Sequence, residues 1–129
     1  MKSEQAFRIL YVAGNKDDYV LLNAMYDFPN IQITPAETVA EALRKINGEQ
    51  YDLYLLETRL PDGDGYELCK TMRESNPHAP IVFYSGDAAD FHRQKGLAVG
   101  ADAYLAKPYW DALTGTLNKF IFGENLAVV

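Results

Sequence analysis

Tyr51-Asp-Leu-Tyr-Leu-Leu-Glu57, followed at once by Thr58-Arg-Leu-Pro-Asp-Gly-Asp-Gly65, is the stretch on which the fold turns. Its apolar run does not alternate with polar residues. That marks a strand covered on both faces, as in the middle of a parallel sheet. The proline and glycines that follow break the run into a turn. Glu57 therefore stands at the carboxyl end of a central strand, where open α/β sheets gather their ligand sites.

Working outward, strand and helix signals alternate along the whole chain. Short apolar runs predict strands over 7–12, 31–33, 52–56, 80–84 and 103–105. Helical periodicity predicts helices over 16–28, 38–48, 65–75, 87–99 and 110–122. In the first helix Tyr19, Val20, Leu22, Ala24 and Tyr26 are the expected apolar face. Asn15 is its N-cap, with Asp17 and Asp18 in the first turn. Thr38-Val-Ala-Glu41 has the form of a capping box. In the last helix Leu113, Leu117, Phe120 and Ile121 are expected to turn inward. Five such alternations predict an α/β fold, a doubly wound five-stranded parallel sheet of order 2-1-3-4-5. The loops after strands 1, 3, 4 and 5 then converge, bringing together Ala13, Gly14, Glu57, Ser85, Gly86, Lys107 and Pro108.

A length of 129 residues predicts a single domain over 1–129, with room to be one piece of a longer protein. The formal charge of −6 argues against direct nucleic-acid binding, which needs basic surface. One cysteine, Cys69, cannot form an internal disulfide, and a reducing cytoplasmic setting is the simple expectation. Cys69 lies at helical spacing with apolar neighbours and reads as a packed core residue. The start, Met1-Lys-Ser-Glu-Gln5, does not read as a signal peptide, and no apolar run reaches membrane-spanning length. The tail Leu126-Ala-Val-Val129 is apolar, with no partner legible in the sequence. His78 and His92 lack metal-spaced or nucleophile partners and read as solvent-facing.

Three pieces, in this order and spacing, carry a resemblance: Leu60-Pro-Asp-Gly-Asp-Gly65, Pro80-Ile-Val-Phe-Tyr-Ser-Gly86 and Gly100-Ala-Asp-Ala-Tyr-Leu-Ala-Lys-Pro108. With them the chain resembles the receiver domains of two-component response regulators over essentially its whole length. The resemblance implies a flavodoxin-like (βα)5 fold. It implies an aspartate that accepts a phosphoryl group and two acids after the first strand that hold Mg²⁺. It also implies a hydroxyl, a lysine and a switch aromatic that respond to the phosphate. Ser85, Lys107 and Tyr104 match those last three positions. Pro108 matches the proline whose bond to the lysine is usually cis in the family.

The departures are as informative as the matches. Glu57 stands at the acceptor position, and the metal acids align with Ala13 and Gly14, neither of which carries a side-chain oxygen. Mg²⁺ binding is therefore expected to be lost, with no other cofactor implied. Asp17 and Asp18 read as first-turn helix residues rather than replacements, and Asp62, Asp64 and Asp87 as solvated loop acids. The expected state is a degenerate, non-enzymatic pseudo-receiver. In it Glu57 either pairs with Lys107, accepts a hydrogen bond from Ser85 and imitates part of a phosphorylated aspartate, or simply neutralises the lysine with no consequence for switching. Its partner would be a protein: a sensor kinase, an effector domain or a second copy. The contact face would be helix 4, strand 5 and helix 5, with Phe91, Tyr104, Tyr109 and Trp110 as candidates. Two other readings stand beside it. One is phosphotransfer through an unusual acceptor. The other is sensing of a small anion in a pocket made net positive by Lys16, Arg59 and Lys107.

Overall fold

The computed structural model describes residues 6–27, 29–107 and 110–122, Trp110 through its backbone alone. Expectations placed on Met1 to Gln5, Phe28, Pro108 with its cis bond, Tyr109, the Trp110 ring and the tail at 126–129 lie outside the described residues. Twelve elements follow one another: β1 (Phe7–Val12), α1 (Lys16–Met25), β2 (Ile31–Ala36), α2 (Val39–Gly48), β3 (Leu53–Leu56), β4 (Arg59–Leu60), β5 (Gly63–Asp64), α3 (Gly65–Ser75), β6 (Ile81–Ser85), α4 (Asp90–Ala98), β7 (Ala103–Ala106) and α5 (Trp110–Phe122). β4 and β5 form a small antiparallel hairpin in the turn after β3. The other five strands make one parallel sheet in the order β2-β1-β3-β6-β7. With the hairpin set aside, this is the expected 2-1-3-4-5.

Successive strand residues point to opposite faces, so each strand feeds two cores. Leu10, Val12, Leu56 and Phe83 pack with Ala42, Leu68, Cys69 and Met72 on the α2–α3 side. Ile9, Tyr11, Leu53 and Leu55 pack with Leu22, Leu113 and Leu117 on the α1–α5 side. The inward residues of α5 follow the expected pattern, Leu113 and Leu117 fully buried and Phe120 and Ile121 partly. Cys69 is buried with its thiol directed at Val99 O, 3.8 Å away, and burial pushes that thiol up to about 11.

Several local expectations are corrected. β2 continues to Ala36, because Leu10–Val12 of β1 pair with Thr34, Pro35 and Ala36. β2 is an edge strand, where a proline without an N–H is tolerated. α4 begins at Asp90 rather than 87. In α1 the buried stripe is Leu22 with Tyr26, flanked by half-buried Asp18 and Tyr19, while Val20 and Ala24 face solvent. Spacings of three and four residues select 18, 19, 22 and 26 together, so the same rotation that exposes Val20 swings Asp18 toward the strand ends. Thr38 caps α2 by accepting from Glu41 N at 3.0 Å, but the Glu41 carboxylate reaches Glu37 N at 2.7 Å instead of closing the box on Thr38. Asp62 is no idle loop acid. It accepts from Val39 N at 2.7 Å and Ala40 N at 3.0 Å, capping α2 from the hairpin. Asp64 likewise caps α3 through Glu67 N at 2.8 Å.

Candidate functional site

At the carboxyl ends of β1, β3, β6 and β7 the chain leaves an open cleft of about 530 Å³. Its walls include Gly14, Asn15, Asp18, Glu57, Arg59, Gly86, Asp87 and Lys107. Sheet pairing sets the loops: Glu57 N donates to Val12 O at 2.8 Å, Ala13 N to Ala36 O at 2.9 Å, and Lys107 N to Ser85 O at 2.7 Å. Ala13 is buried in the α1–α5 core, so of the two positions aligned with metal acids only Gly14 lines the cleft.

Lys107 is the centre of the cleft. Its Nζ donates to Glu57 Oε1 at 2.6 Å and to Asp18 Oδ2 at 2.5 Å, and it lies 5.5 Å from the centre of the Tyr84 ring. All three charged side chains are mostly shielded from solvent, at 21% exposure for Lys107, 15% for Glu57 and 25% for Asp18. Burial pulls the lysine's pKa down, but the hydrogen bonds to Asp18 and Glu57 outweigh it and leave the value raised. The group is therefore charged at neutral pH. Its stabilising contribution is complete below the ordinary lysine value and is lost only as pH rises through the raised one.

The expected Glu57–Lys107 pair is present; the expected Ser85 contribution to it is not. Ser85 Oγ lies 2.7 Å from Thr58 Oγ1 and accepts from Asp87 N at 3.1 Å. The single Thr58 hydroxyl proton goes to Asp87 Oδ2, 2.9 Å away, so Ser85 is the donor to Thr58. Ser85 is thereby held by its neighbours and turned away from Glu57, whose second oxygen accepts from Thr58 N at 3.2 Å.

Asp87 is corrected from a solvated acid to the hub of the cleft's second wall. Arg59 grips its carboxylate with two hydrogen bonds of 3.1 Å, and Thr58 adds a third. Its backbone oxygen accepts from the Tyr104 hydroxyl at 2.5 Å. Tyr104 is thus fixed inward at 2% exposure, stacked on Phe83 with ring centres 5.6 Å apart. The Arg59 fork holds the Asp87 carboxyl below its ordinary range, against the pull of burial and with help from Thr58. A depressed carboxyl contributes stability above its unfolded value and loses it as pH falls through the folded one. Asp87→Asn should therefore lose less stability than wild type as pH falls through and below the ordinary aspartate range in urea titrations. Equal acid sensitivity of the two chains would sink that assignment.

Of the three bases expected to make the pocket positive, Arg59 and Lys107 line it, whereas Lys16 sits 3.8 Å from Glu37. Against them stand Asp18, Glu57 and Asp87, so the cleft carries one negative charge in excess. The reading of a net-positive anion pocket is overturned by those three acids. His92 is also not purely solvent-facing, since its Nδ1 lies 3.1 Å from the Tyr66 hydroxyl; His78 is exposed. Of the candidate contact face, Phe91 is 62% exposed, whereas Tyr104 is buried and is not available as a surface contact.

The cleft does not fit a divalent cation. Asp18 and Glu57 already share an ammonium, Asp87 is committed to Arg59 and Thr58, and Gly14 brings no side-chain oxygen. An acid at 14 would also be crowded, because a Cβ there comes within 3.2 Å of Pro61 Cδ. No group of three potential metal ligands exists among the described residues.

Asp18, Thr58 and Asp87 are the working residues the sequence reading missed. Asn15 was the available signal for Asp18. Its side chain accepts from Asp17 N at 2.8 Å and fixes it as the N-cap, and side chains of the first turn point back toward the cap.

Over residues 10–116 the chain matches the family described as the response regulator receiver domain. It is 32% identical over 102 residues to the alkaline phosphatase synthesis transcriptional regulatory protein PhoP of Bacillus subtilis (strain 168), a match covering 79% of the chain and 42% of that protein. The chain spans less than half the length of the curated relatives that head its matches. Among solved structures, a two-component response regulator from Clostridium difficile superposes with a TM-score of 0.83 at 34% identity, covering 92% of this chain and 97% of that one. The response regulator TrrA from Thermotoga maritima, solved in complex with Mg²⁺ and BeF, superposes at 0.78 with 27% identity, covering 88% and 97%. No helix among the described residues is long and apolar enough to cross a membrane.

Proposed function

We propose, from the premise that this chain belongs to the response regulator receiver domain family, that it signals by contact with a protein partner in a state not set by phosphoryl transfer. Receiver domains of two-component systems interact with sensor kinases and effector domains, and this reading keeps that role while dropping the chemistry. The observation that carries it is the 2.6 Å bond between Glu57 and Lys107, which occupies the acceptor-position carboxylate with a cation from the chain itself. A glutamate is one methylene longer than an aspartate, and that length lets it meet the lysine near where a phosphoryl oxygen would be. It carries one negative charge where a phosphoryl group carries nearly two, so it supplies part of the phosphorylated state's electrostatics. Partly buried charge-assisted bonds of this kind are worth about 1.5–3 kcal/mol each, enough to bias a finely balanced switch. The inward Tyr104 is consistent with a biased switch.

The contact face of this reading is α4, β7 and α5, where Phe91 offers an exposed aromatic anchor. The partner is a sensor kinase, an effector domain or a second copy of the chain, in the cytoplasm. Phosphotransfer through an unusual acceptor is the second reading, favoured by the 0.78 superposition on TrrA bound to Mg²⁺ and BeF. One experiment separates them: amide NMR with Mg²⁺ and then beryllofluoride, with intact mass after phosphodonor treatment. Unmoved peaks at Glu57, Ser85 and Lys107 and no added mass are expected. A phosphoryl adduct, or Mg²⁺-dependent shifts spreading to Tyr104, would overturn contact-only signalling.

A further inference from the structure

We propose that Lys107 is the resident cation of the cleft, an ammonium tethered between Asp18 and Glu57 that stands in for a divalent ion and keeps such ions out. This rests on the metal-independent reading above and deepens it by naming what replaced the metal. Two carboxylates from separate elements, the first turn of α1 and the end of β3, converge on one Nζ at 2.5 and 2.6 Å. Two anions brought that close repel each other strongly in a partly shielded site unless a cation lies between them. The sequence supplies no acid at 13 or 14, and the one at 18 reaches the same cleft from a different direction.

A second observation points to the same seat. The Tyr11 hydroxyl, on a side chain 1% exposed, has no hydrogen-bond partner among the described residues. Burial raises its pKa, and Asp18 and Glu57 raise it further, which places both carboxylates near enough for their charge to bear on it. The uncommitted hydroxyl thus feels the charge of the same two carboxylates that hold the ammonium. Tethering makes the ammonium a permanent occupant of the cleft. The lysine is held by the backbone bond from Lys107 N to Ser85 O at 2.7 Å, so the cation's local concentration is fixed by the fold and independent of solution. A divalent ion has to displace it, and displacement leaves an ammonium partly buried without partners.

The prediction is that removing the tethered charge uncovers a cation site. Mn²⁺ and Mg²⁺ would be titrated calorimetrically into the 129-residue chain, into Lys107→Met and Lys107→Gln, and into the double variant Asp18→Asn/Lys107→Met. Wild type should show no saturable Mn²⁺ binding at millimolar concentration. The single variants should bind at least about tenfold more tightly, with oxygen ligands of the kind these ions take. The double variant should lose that gain. Wild type binding Mn²⁺ as tightly as the variants would overturn the proposal. So would single variants, folded by circular dichroism, that gain no binding. If one of the two does not fold, the other carries the comparison. The contact-only reading fails by a different observation, a phosphoryl adduct on Glu57, which leaves these titrations unaffected.

Discussion

Replacing Gly65 with alanine is expected to cost about 3 kcal/mol or more and to disorganise the cleft in the same step. Gly65 opens α3 directly under Glu57, and its N–H donates to Thr58 O at 2.8 Å. A Cβ there would run into the backbone oxygen of Glu57 and come within 3.1 Å of Phe83 Cε1. Neither obstacle is the loose end of a flexible side chain. One is main chain at the strand end, and the other is a fully buried ring. The constraint is space, since the only positive φ in the described chain is at Gly100. To admit the methyl group, the Glu57 carbonyl must move and carry its side chain with it. Domains of this kind have about 5–15 kcal/mol in all, so the loss is a large share. Urea unfolding measures it, and an alanine variant within about 1 kcal/mol of wild type would show the turn to be far more yielding than its packing implies.

Phe83→Ala should cost about 3–5 kcal/mol, the usual range for emptying a buried phenylalanine site. Phe83 is fully buried in β6, its ring 5.4 Å from that of Tyr66 and 5.6 Å from that of Tyr104. It also fills the space against Gly96, where a Cβ would already come within 3.0 Å of it. The ring is thus the wall that Tyr104 rests on, while the hydroxyl is held by Asp87. Its removal should loosen Tyr104 as well as the core, visible as lost near-ultraviolet dichroism beyond the change in unfolding midpoint. A stability loss under about 2 kcal/mol would mean that the neighbours collapse into the gap.

The layer order was legible because it follows from periodicity. An unbroken Leu53–Leu56 run has to be a covered strand, and helices between strands dictate parallel pairing. The loop ends were legible too, since strand order alone brings Glu57, Ser85 and Lys107 together. What could not be read was rotation and reach. Val20 and Asp18 are two positions apart on one helix, about 200° around its axis, so only one of them can face the cleft and the choice is set by how the helix packs. Asp87 and Thr58 form their network through side-chain hydrogen bonds across loops, to which no sequence spacing corresponds. Ser85 shows the limit most directly. Its position was evident, but which neighbour takes its proton depends on Thr58 having only one to give.

Cys69 has a practical consequence. With its side chain fully buried and its thiolate form suppressed, the folded chain offers thiol reagents nothing to attack. A single Arg44→Cys substitution on the exposed side of α2, away from Phe91 and the proposed contact face, would then carry a spin or fluorescent label alone. The wild-type background is already silent, and distances from that label to a partner can be measured without first removing a native cysteine.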